Sequence, residues 1–158
     1  MIDTEGYRRN VGIILCNKEN KLFWARRIGE DAWQFPQGGI KRDETPEQAL
    51  FRELAEEVGL EANDVEVIGH TTGWLKYHIP KKLIRRRGQQ PVCIGQKQRW
   101  YLLRLVGSEE KVCLTACEKP EFEEWRWVGH VEPVHQVVSF KRNVYSQALQ
   151  ELLPLLVK

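Results

Sequence analysis

The sequence predicts one domain of the α/β or α+β class, spanning residues 1–158, in which strands and two helices pack in layers. Short apolar runs bounded by turn residues alternate with two segments whose apolar residues recur at helical spacing. A chain of 158 residues is long enough to bury a single core. Its 42% hydrophobic and 29% charged residues exclude collagen-like, low-complexity and disulfide-stapled chains.

The strand predictions rest on runs of apolar and β-branched residues. Residues 11–16 and 21–26 flank a polar turn, so we expect them to pair as a hairpin. The glycine pair Gly38 and Gly39 is expected to interrupt regular structure, after an irregular segment over 28–36. Further strands are expected over 65–68, 99–106 and 125–128.

Two helices are predicted. The first begins at Thr45, a suitable N-cap, because Pro46 fits the first helical position and Gln48 completes a capping box. Gly59 ends it as a left-handed C-cap. A second helix is expected over residues 138–156. The apolar stripes are Leu50, Leu54 and Val58 in the first helix, and Val144, Ala148, Leu149, Leu152 and Leu153 in the second.

Charge is segregated along the chain, although the formal net charge is only +2. Residues 43–66 hold nine acids and one base, Arg52, whereas residues 67–108 hold nine bases and no acid. This pattern indicates a cation site beside a polyanion site, with solvated charged faces as the alternative. The sequence shows no apolar run long enough for a membrane span and no secretory signal, so we expect a cytoplasmic protein without a membrane partner.

Three carboxylates on the first predicted helix carry the strongest chemical signal. Glu53 lies three residues before Glu56 and four before Glu57, so the three side chains can share one helix face, and Arg52 can pair with Glu56. Close carboxylates repel one another, and a hard divalent cation relieves that repulsion. For a Glu-Glu pair alone, a solvated acidic face is the simpler interpretation.

The wider spacing changes that interpretation. The chain resembles the Nudix hydrolase family, because it fills every fixed position of the Nudix box. The pattern is Gly38, five residues, Glu44, seven residues, Arg52-Glu53-Leu54, one residue, Glu56-Glu57, one residue and Gly59-Leu60. That resemblance implies an α/β/α sandwich around a mixed sheet, and hydrolysis of nucleoside diphosphate linkages with divalent cations, Mg²⁺ or Mn²⁺. The implied catalytic residues are Glu53, Glu56, Glu57 and Arg52.

The same resemblance assigns roles within the box. Glu53, Glu56 and Glu57 would be metal ligands, while Arg52 would hold a carboxylate in place. Gly38 and Gly59 would permit backbone turns. Glu44 would support either the loop–helix geometry or the outer metal shell. The base that takes the proton from water could be Glu56, Glu57 or an acid elsewhere.

The regions flanking the box resemble one branch of that family, the bacterial RNA pyrophosphohydrolases, which remove pyrophosphate from triphosphorylated 5′ RNA ends and so start mRNA decay. The matching stretches are residues 6–8, 10–13, 33–39, 74–77, 91–98, 120–122 and 136–142. This branch implies a further metal-site acid at Glu121, for which a surface position at a strand edge is the alternative. The residues that would touch the phosphates are Arg8, Tyr77, Gln96 and Gln98.

A base pocket is implied as well, formed by Arg27, Val138, Phe140 and Lys141. A base could stack on Phe140 and the Arg27 guanidinium, whereas plain core packing is the alternative for Phe140. The basic run Lys81, Lys82 and Arg85 to Arg87 would attract the RNA backbone, with a solvated loop as its alternative.

Three functions therefore remain open at this point. The leading prediction is a metal-dependent hydrolase of 5′-triphosphorylated RNA. A dinucleoside polyphosphate hydrolase, acting on substrates such as diadenosine tetraphosphate, shares the box. A non-catalytic RNA-binding module on the same scaffold is disfavoured by the intact set of glutamates. The sequence names no protein partner.

Overall fold

The computed structural model describes residues 2–84 and 92–157. Within these residues eight strands form one sheet. The strands are β1 Tyr7–Cys16, β2 Leu22–Arg27, β3 Trp33–Gln34, β4 Gln37–Gly39, β5 Val65–His70, β6 Leu75–His78, β7 Gly95–Leu105 and β8 Phe122–Val128.

The sheet is mixed. Its main path runs β3-β2-β1-β7-β5, with β1 and β7 parallel and the other strand pairs antiparallel. β4 pairs with β1, β8 with β2, and β6 with β7. Because β6 pairs with β7 alone among the described residues, it forms an edge of the sheet.

Helices cover both faces of this sheet. They are α1 Pro46–Glu53, which continues as a π-helical turn over Leu54–Val58, α2 Glu132–Gln136 and α3 Arg142–Leu152. α1 and the π turn pack on one face through Leu50, Leu54 and Val58, against Ile13 and Tyr101. α3 packs on the other face, where Tyr145 meets Trp24 and Trp100. The expected α/β/α sandwich with a mixed sheet is confirmed.

The start of α1 follows its local sequence. The Thr45 hydroxyl accepts a hydrogen bond from the Gln48 amide, and the Gln48 side chain accepts one from the Thr45 amide, which completes the predicted capping box. Gly59 ends the segment in the left-handed conformation, with φ of 77°. A side chain at Gly59 would also collide with the backbone of Cys113.

Both predicted helices differ in detail from the structure. The first changes to π geometry after Glu53, where single wide turns are often found at functional sites. The second begins at Arg142, because Val138 has extended dihedral angles and Ser139–Lys141 form a 3₁₀ turn. It tightens to a 3₁₀ helix after Leu152, since Pro154 has no amide hydrogen for an α-helical bond.

The predicted strands are present, and all are longer than expected except β2, which is shifted by one residue. Three short strands were missed. β3 lies within the segment expected to be irregular, and β6 was not foreseen. The expected break at Gly38 and Gly39 is wrong, because both glycines belong to β4 and pair with β1 opposite Val11 and Asn10. Among the described residues no helix has the length and apolar character needed to cross a bilayer.

Candidate metal centre and substrate face

Arg52 is the organising side chain of the candidate metal centre. Its guanidinium donates to both carboxylate oxygens of Glu44, at 2.7 and 2.8 Å, and to Oε1 of Glu53 at 2.7 Å. It also donates to the carbonyl oxygen of Gly39 at 2.8 Å and makes a longer contact of 3.4 Å with Glu56. The planar guanidinium of Arg52 therefore joins the loop before α1, strand β4 and the end of α1, through Glu44, Gly39 and Glu53 respectively.

Glu44 connects the loop before α1 to the helix through its hydrogen bonds, which is the geometry expected for the first of its two predicted roles. Besides its two bonds to Arg52, it accepts a hydrogen bond from the Lys41 amide at 2.9 Å. The hydrogen bonds from Arg52 lower the pKa of Glu44 to about 2. Glu44 is therefore ionised at neutral pH, and both of its carboxylate oxygens are engaged by protein groups.

Four glutamates form the acidic cluster of the candidate metal centre: Glu53, Glu56, Glu57 and Glu121. Glu53 and Glu57 are its buried members. The Glu53 side chain lies against Gly38, where a Cβ atom would overlap its carboxylate. Burial is the main cause that raises the pKa of Glu57 well above its usual range, and a hydrogen bond to Glu53 and repulsion from nearby carboxylates add to it. Oε2 of Glu57 is buried without a hydrogen-bond partner.

Glu56 and Glu121 lie at the outer side of this cluster. Both carboxylates are close enough to raise the pKa of Glu57. Glu56 is partly exposed, and Glu121 is exposed immediately before β8. Glu121 faces Arg27, whose guanidinium lies 3.5 Å from its carboxylate and 3.1 Å from that of Glu30. The fold thus brings Glu121 near Glu57, which is distant from it in sequence.

These residues fit a hard divalent cation by their chemistry. They supply carboxylate oxygens, which Mg²⁺ and Mn²⁺ prefer. A bound cation would also provide a partner for the buried oxygen of Glu57 that has none. Within the residues that the structure describes, however, no three His, Cys, Asp or Glu side chains are already arranged as ligands.

Gly38 gives a direct test of this packing. Gly38→Ala is expected to displace the Glu53 carboxylate and to lower turnover of a pyrophosphate substrate by about 10- to 100-fold, the range typical of weakened support for a metal ligand. Steady-state kinetics measure the effect. Gly73→Ala is the matched control, because its Cβ meets nothing within 4 Å. Equal activity of the two variants would contradict the assigned role of Gly38.

The predicted phosphate-contacting residues lie on three neighbouring strands. Arg8 of β1 is opposite Gln96 of β7, which is opposite Tyr77 of β6. Gln98 follows two residues after Gln96 and points to the same face, where its amide nitrogen donates to Asn10 at 2.9 Å. The structure therefore brings all four predicted residues onto the α3 face of the sheet.

This face carries unsatisfied acceptors. The side-chain oxygens of Gln96 and Gln98 are buried without a hydrogen-bond partner. Arg8 is exposed beside them. Rotation of the Gln96 amide would turn its NH2 group, a donor, toward an anion held by Arg8. The Gln98 NH2 group already donates to Asn10 and Gln37.

Two of the residues predicted to form a base pocket, Phe140 and Lys141, lie beside Tyr77. The rings of Tyr77 and Phe140 are 5.7 Å apart between centroids, and the Lys141 Nζ lies 5.8 Å from the centre of the Tyr77 ring. Val138 is exposed. Burial is the main cause that lowers the pKa of Lys141 to about 8, and the nearby Arg27 guanidinium contributes. Phe140 is half-buried, so packing and stacking are compatible roles.

Sequence reasoning missed three polar residues of this region. Asn10 and Gln37 bond to the Gln98 amide, at 2.9 and 3.3 Å, and Gln34 accepts from Lys141 at 3.4 Å. Their position as polar residues among apolar neighbours was the sequence signal that could have identified them. In the predicted basic run, Lys81 and Lys82 are exposed, whereas Arg85 to Arg87 lie outside the described residues.

Comparisons with known proteins agree with this fold. The NUDIX domain family matches residues 6–148. A protein of Alkalilimnicola ehrlichii named RNA pyrophosphohydrolase is 65% identical over 99% of this chain and 86% of its own length. A protein of Hahella chejuensis with the same name is 60% identical over 100% of this chain and 98% of its own length.

Solved structures support the fold alone. The E. coli dihydroneopterin triphosphate pyrophosphohydrolase is 19% identical with a TM-score of 0.69, covering 89% of this chain and 95% of its own. A C. elegans Ap4A hydrolase binary complex is 15% identical with a TM-score of 0.63, covering 93% of this chain and 98% of its own. This chain therefore belongs to the Nudix family, whose hydrolases act on pyrophosphate bonds with divalent metal ions.

Proposed function

We propose that this chain removes pyrophosphate from the triphosphorylated 5′ end of RNA and leaves a 5′-monophosphate. The observation that carries the proposal is its 65% and 60% identity, over nearly the whole chain, to two relatives that bear the name RNA pyrophosphohydrolase. The arrangement of an acidic cluster beside a face of cationic, amide and aromatic side chains supports it. Such an activity would place the chain in the cytoplasm, at an early step of mRNA decay.

The cofactor is proposed to be Mg²⁺, with Mn²⁺ as a substitute. Glu53, Glu56, Glu57 and Glu121 would hold it, and Arg52 and Gly38 position Glu53 among them. When bound, such a cation neutralises phosphate oxygens and lowers the pKa of a bound water. The unpartnered buried oxygen of Glu57 and the mutual repulsion of the acids support this choice.

The triphosphate is proposed to lie along the row formed by Arg8, Gln96, Gln98 and Tyr77. The Arg8 guanidinium supplies positive charge, and the amides supply hydrogen-bond donors. Since phosphoryl transfer depends mainly on positioning and electrostatic stabilisation, these residues would hold the phosphates in line with the attacking water. A carboxylate of the acidic cluster would accept the proton of that water.

The first nucleobase is proposed to stack beside Phe140, with Arg27 and Val138 at the rim of the pocket. Stacking on an aromatic ring is worth about 1–3 kcal/mol per base. The Lys141 Nζ, buried beside Tyr77, can donate a hydrogen bond to a base edge or a phosphate. Such a pocket would favour a nucleotide end over free triphosphate.

A comparison of substrates tests the proposal. Rates should be measured on 5′-triphosphorylated RNA and on diadenosine tetraphosphate, each across a titration of Mg²⁺ and Mn²⁺. We expect release of pyrophosphate from the RNA and a higher kcat/KM for it than for the dinucleotide. Cleavage of the dinucleotide with no cleavage of the RNA would contradict the proposal and favour a dinucleoside polyphosphate hydrolase. Binding without cleavage of either would favour a non-catalytic module.

A further inference from the structure

The face of the sheet opposite the proposed triphosphate row carries an unusual line of positive charge. Arg9 of β1 is in register with Lys97 of β7, and Lys97 is in register with Lys76 of β6. Successive residues of a strand point to opposite faces. These three bases therefore lie on the α1 face, whereas their neighbours Arg8, Gln96 and Tyr77 lie on the α3 face.

A fourth base adjoins this line. Arg99 follows Lys97 by two residues on β7 and so points to the same face. Its guanidinium lies 5.0 Å from the centre of the Trp74 ring, and the Lys97 Nζ lies 5.9 Å from the same ring. Both distances are within the range of cation–π attraction. We call Arg9, Lys76, Lys97 and Arg99 the basic face.

Neutralisation of the basic face is incomplete. Among the described residues Lys97 is the one base of the four that forms an ion pair, with Asp3 at 2.7 Å. The Nε atom of Arg99 is buried without a hydrogen-bond partner. Glu47, an acid on α1, has its carboxylate bound by the hydroxyl of Tyr101.

Such an arrangement costs folding stability. Like charges directly opposite one another on adjacent strands are destabilising. The net charge of the chain is only +2, so a general excess of bases does not account for the line. A polyanion bound along the face would remove the repulsion.

The position of the basic face identifies that polyanion. β6 is an edge of the sheet, and its two sides carry Tyr77 toward the triphosphate row and Lys76 toward the basic face. Lys76 is exposed, so a chain that leaves the triphosphate row around this edge meets it directly. From this geometry we propose that the basic face binds the phosphate backbone of the same RNA, downstream of its 5′ end. The inference rests on the proposed function for the identity of the bound RNA.

A binding measurement tests the basic face without hydrolysis. The probe is a fluorescent 5′-monophosphorylated RNA of about twenty nucleotides, titrated with protein at several salt concentrations. Arg9→Gln/Lys76→Gln is the test variant, and Lys18→Gln/Lys21→Gln at the exposed turn after β1 is the control with the same change of charge. Lys76→Gln alone, at an exposed position, serves if the double variant does not fold.

We expect the test variant to bind this RNA about tenfold more weakly and the control less than about twofold more weakly, since single-strand affinity depends on neutralisation of phosphates. The slope of log K against log salt should fall by about 0.7 for each phosphate that is no longer neutralised. Relief of like-charge repulsion should leave the thermal midpoint of the test variant unchanged or raised. An equal weakening in test and control variants, or no weakening in either, would overturn the proposal.

Two further arms separate the possible failures. On triphosphorylated substrates, the test variant should raise KM for the long RNA relative to a triphosphorylated dinucleotide, which carries a single phosphate downstream of its 5′ end. If neither substrate is hydrolysed by the wild type, the proposed function fails while the binding measurement still decides the basic face. Binding of polyglutamate by the basic face, with unchanged RNA affinity, would overturn the proposal in favour of an acidic protein partner.

Discussion

Glu53→Gln is expected to lower kcat for pyrophosphate hydrolysis by about a thousandfold, equivalent to about 4 kcal/mol of transition-state stabilisation. Glu53 is only 7% exposed, lies against Gly38 and accepts a hydrogen bond from Arg52 at 2.7 Å. Glutamine has nearly the same shape, so the packing is kept while the charge that would hold a cation is removed. Steady-state kinetics at saturating Mg²⁺ measure the effect.

The matched control for this variant is Glu66→Gln, on the exposed side of β5 within the same acidic stretch of the chain. It removes one negative charge without touching the acidic cluster, and its activity should equal that of the wild type. Circular dichroism should show both variants folded. Retention of full cation-dependent turnover by Glu53→Gln would contradict its assignment to the metal centre.

Arg52→Lys is expected to lower kcat by about 10- to 100-fold, as is usual when support for a metal ligand is removed. Lysine carries the same charge but cannot form the planar fork that reaches Glu44, Glu53 and the Gly39 carbonyl together. The expected decrease in unfolding free energy is about 1–3 kcal/mol, since charged hydrogen bonds in a part-buried site are broken. Denaturant unfolding and steady-state kinetics measure the two effects.

If Arg52 positions the carboxylates and does not touch the substrate, its substitution should affect kcat and KM differently. Because its contacts are with carboxylates and backbone, kcat should fall while KM for RNA changes little. Arg104→Lys is the control, since the Arg104 guanidinium donates to the Asn17 carbonyl at 2.9 Å, away from the site. A rise in KM with unchanged kcat would instead place Arg52 in contact with the substrate.

Local signals predicted the framework of the site well. The capping box at Thr45 and the left-handed Gly59 depend on neighbouring residues, so the sequence contains the information needed to place both ends of the acidic segment. The π geometry after Glu53 was not foreseen, because the periodicity of Leu50, Leu54 and Val58 is compatible with either kind of turn.

Features that depend on distant partners were harder to predict. Gly38 and Gly39 were expected to interrupt regular structure, since glycine alone signals a turn. In the structure, Gly38 instead makes room for Glu53, which comes from another element. The proximity of Glu121 to Glu57 also depends on distant strands. The same is true of the two rows of side chains that β1, β6 and β7 present on opposite faces of the sheet, because these rows follow from strand register, which no local pattern specifies.

Cation binding by Glu53 and Glu57 is most directly measured by thermal unfolding of the wild type and of Glu53→Gln/Glu57→Gln, with and without Mg²⁺. A ligand at a hundred times its Kd stabilises the native state by about 2.7 kcal/mol, and each kcal/mol shifts Tm by about 2–4 °C at this chain length. The wild type should therefore gain several degrees with Mg²⁺ and the double variant none. An equal gain in both proteins, or no gain in the wild type, would contradict a metal centre at these glutamates.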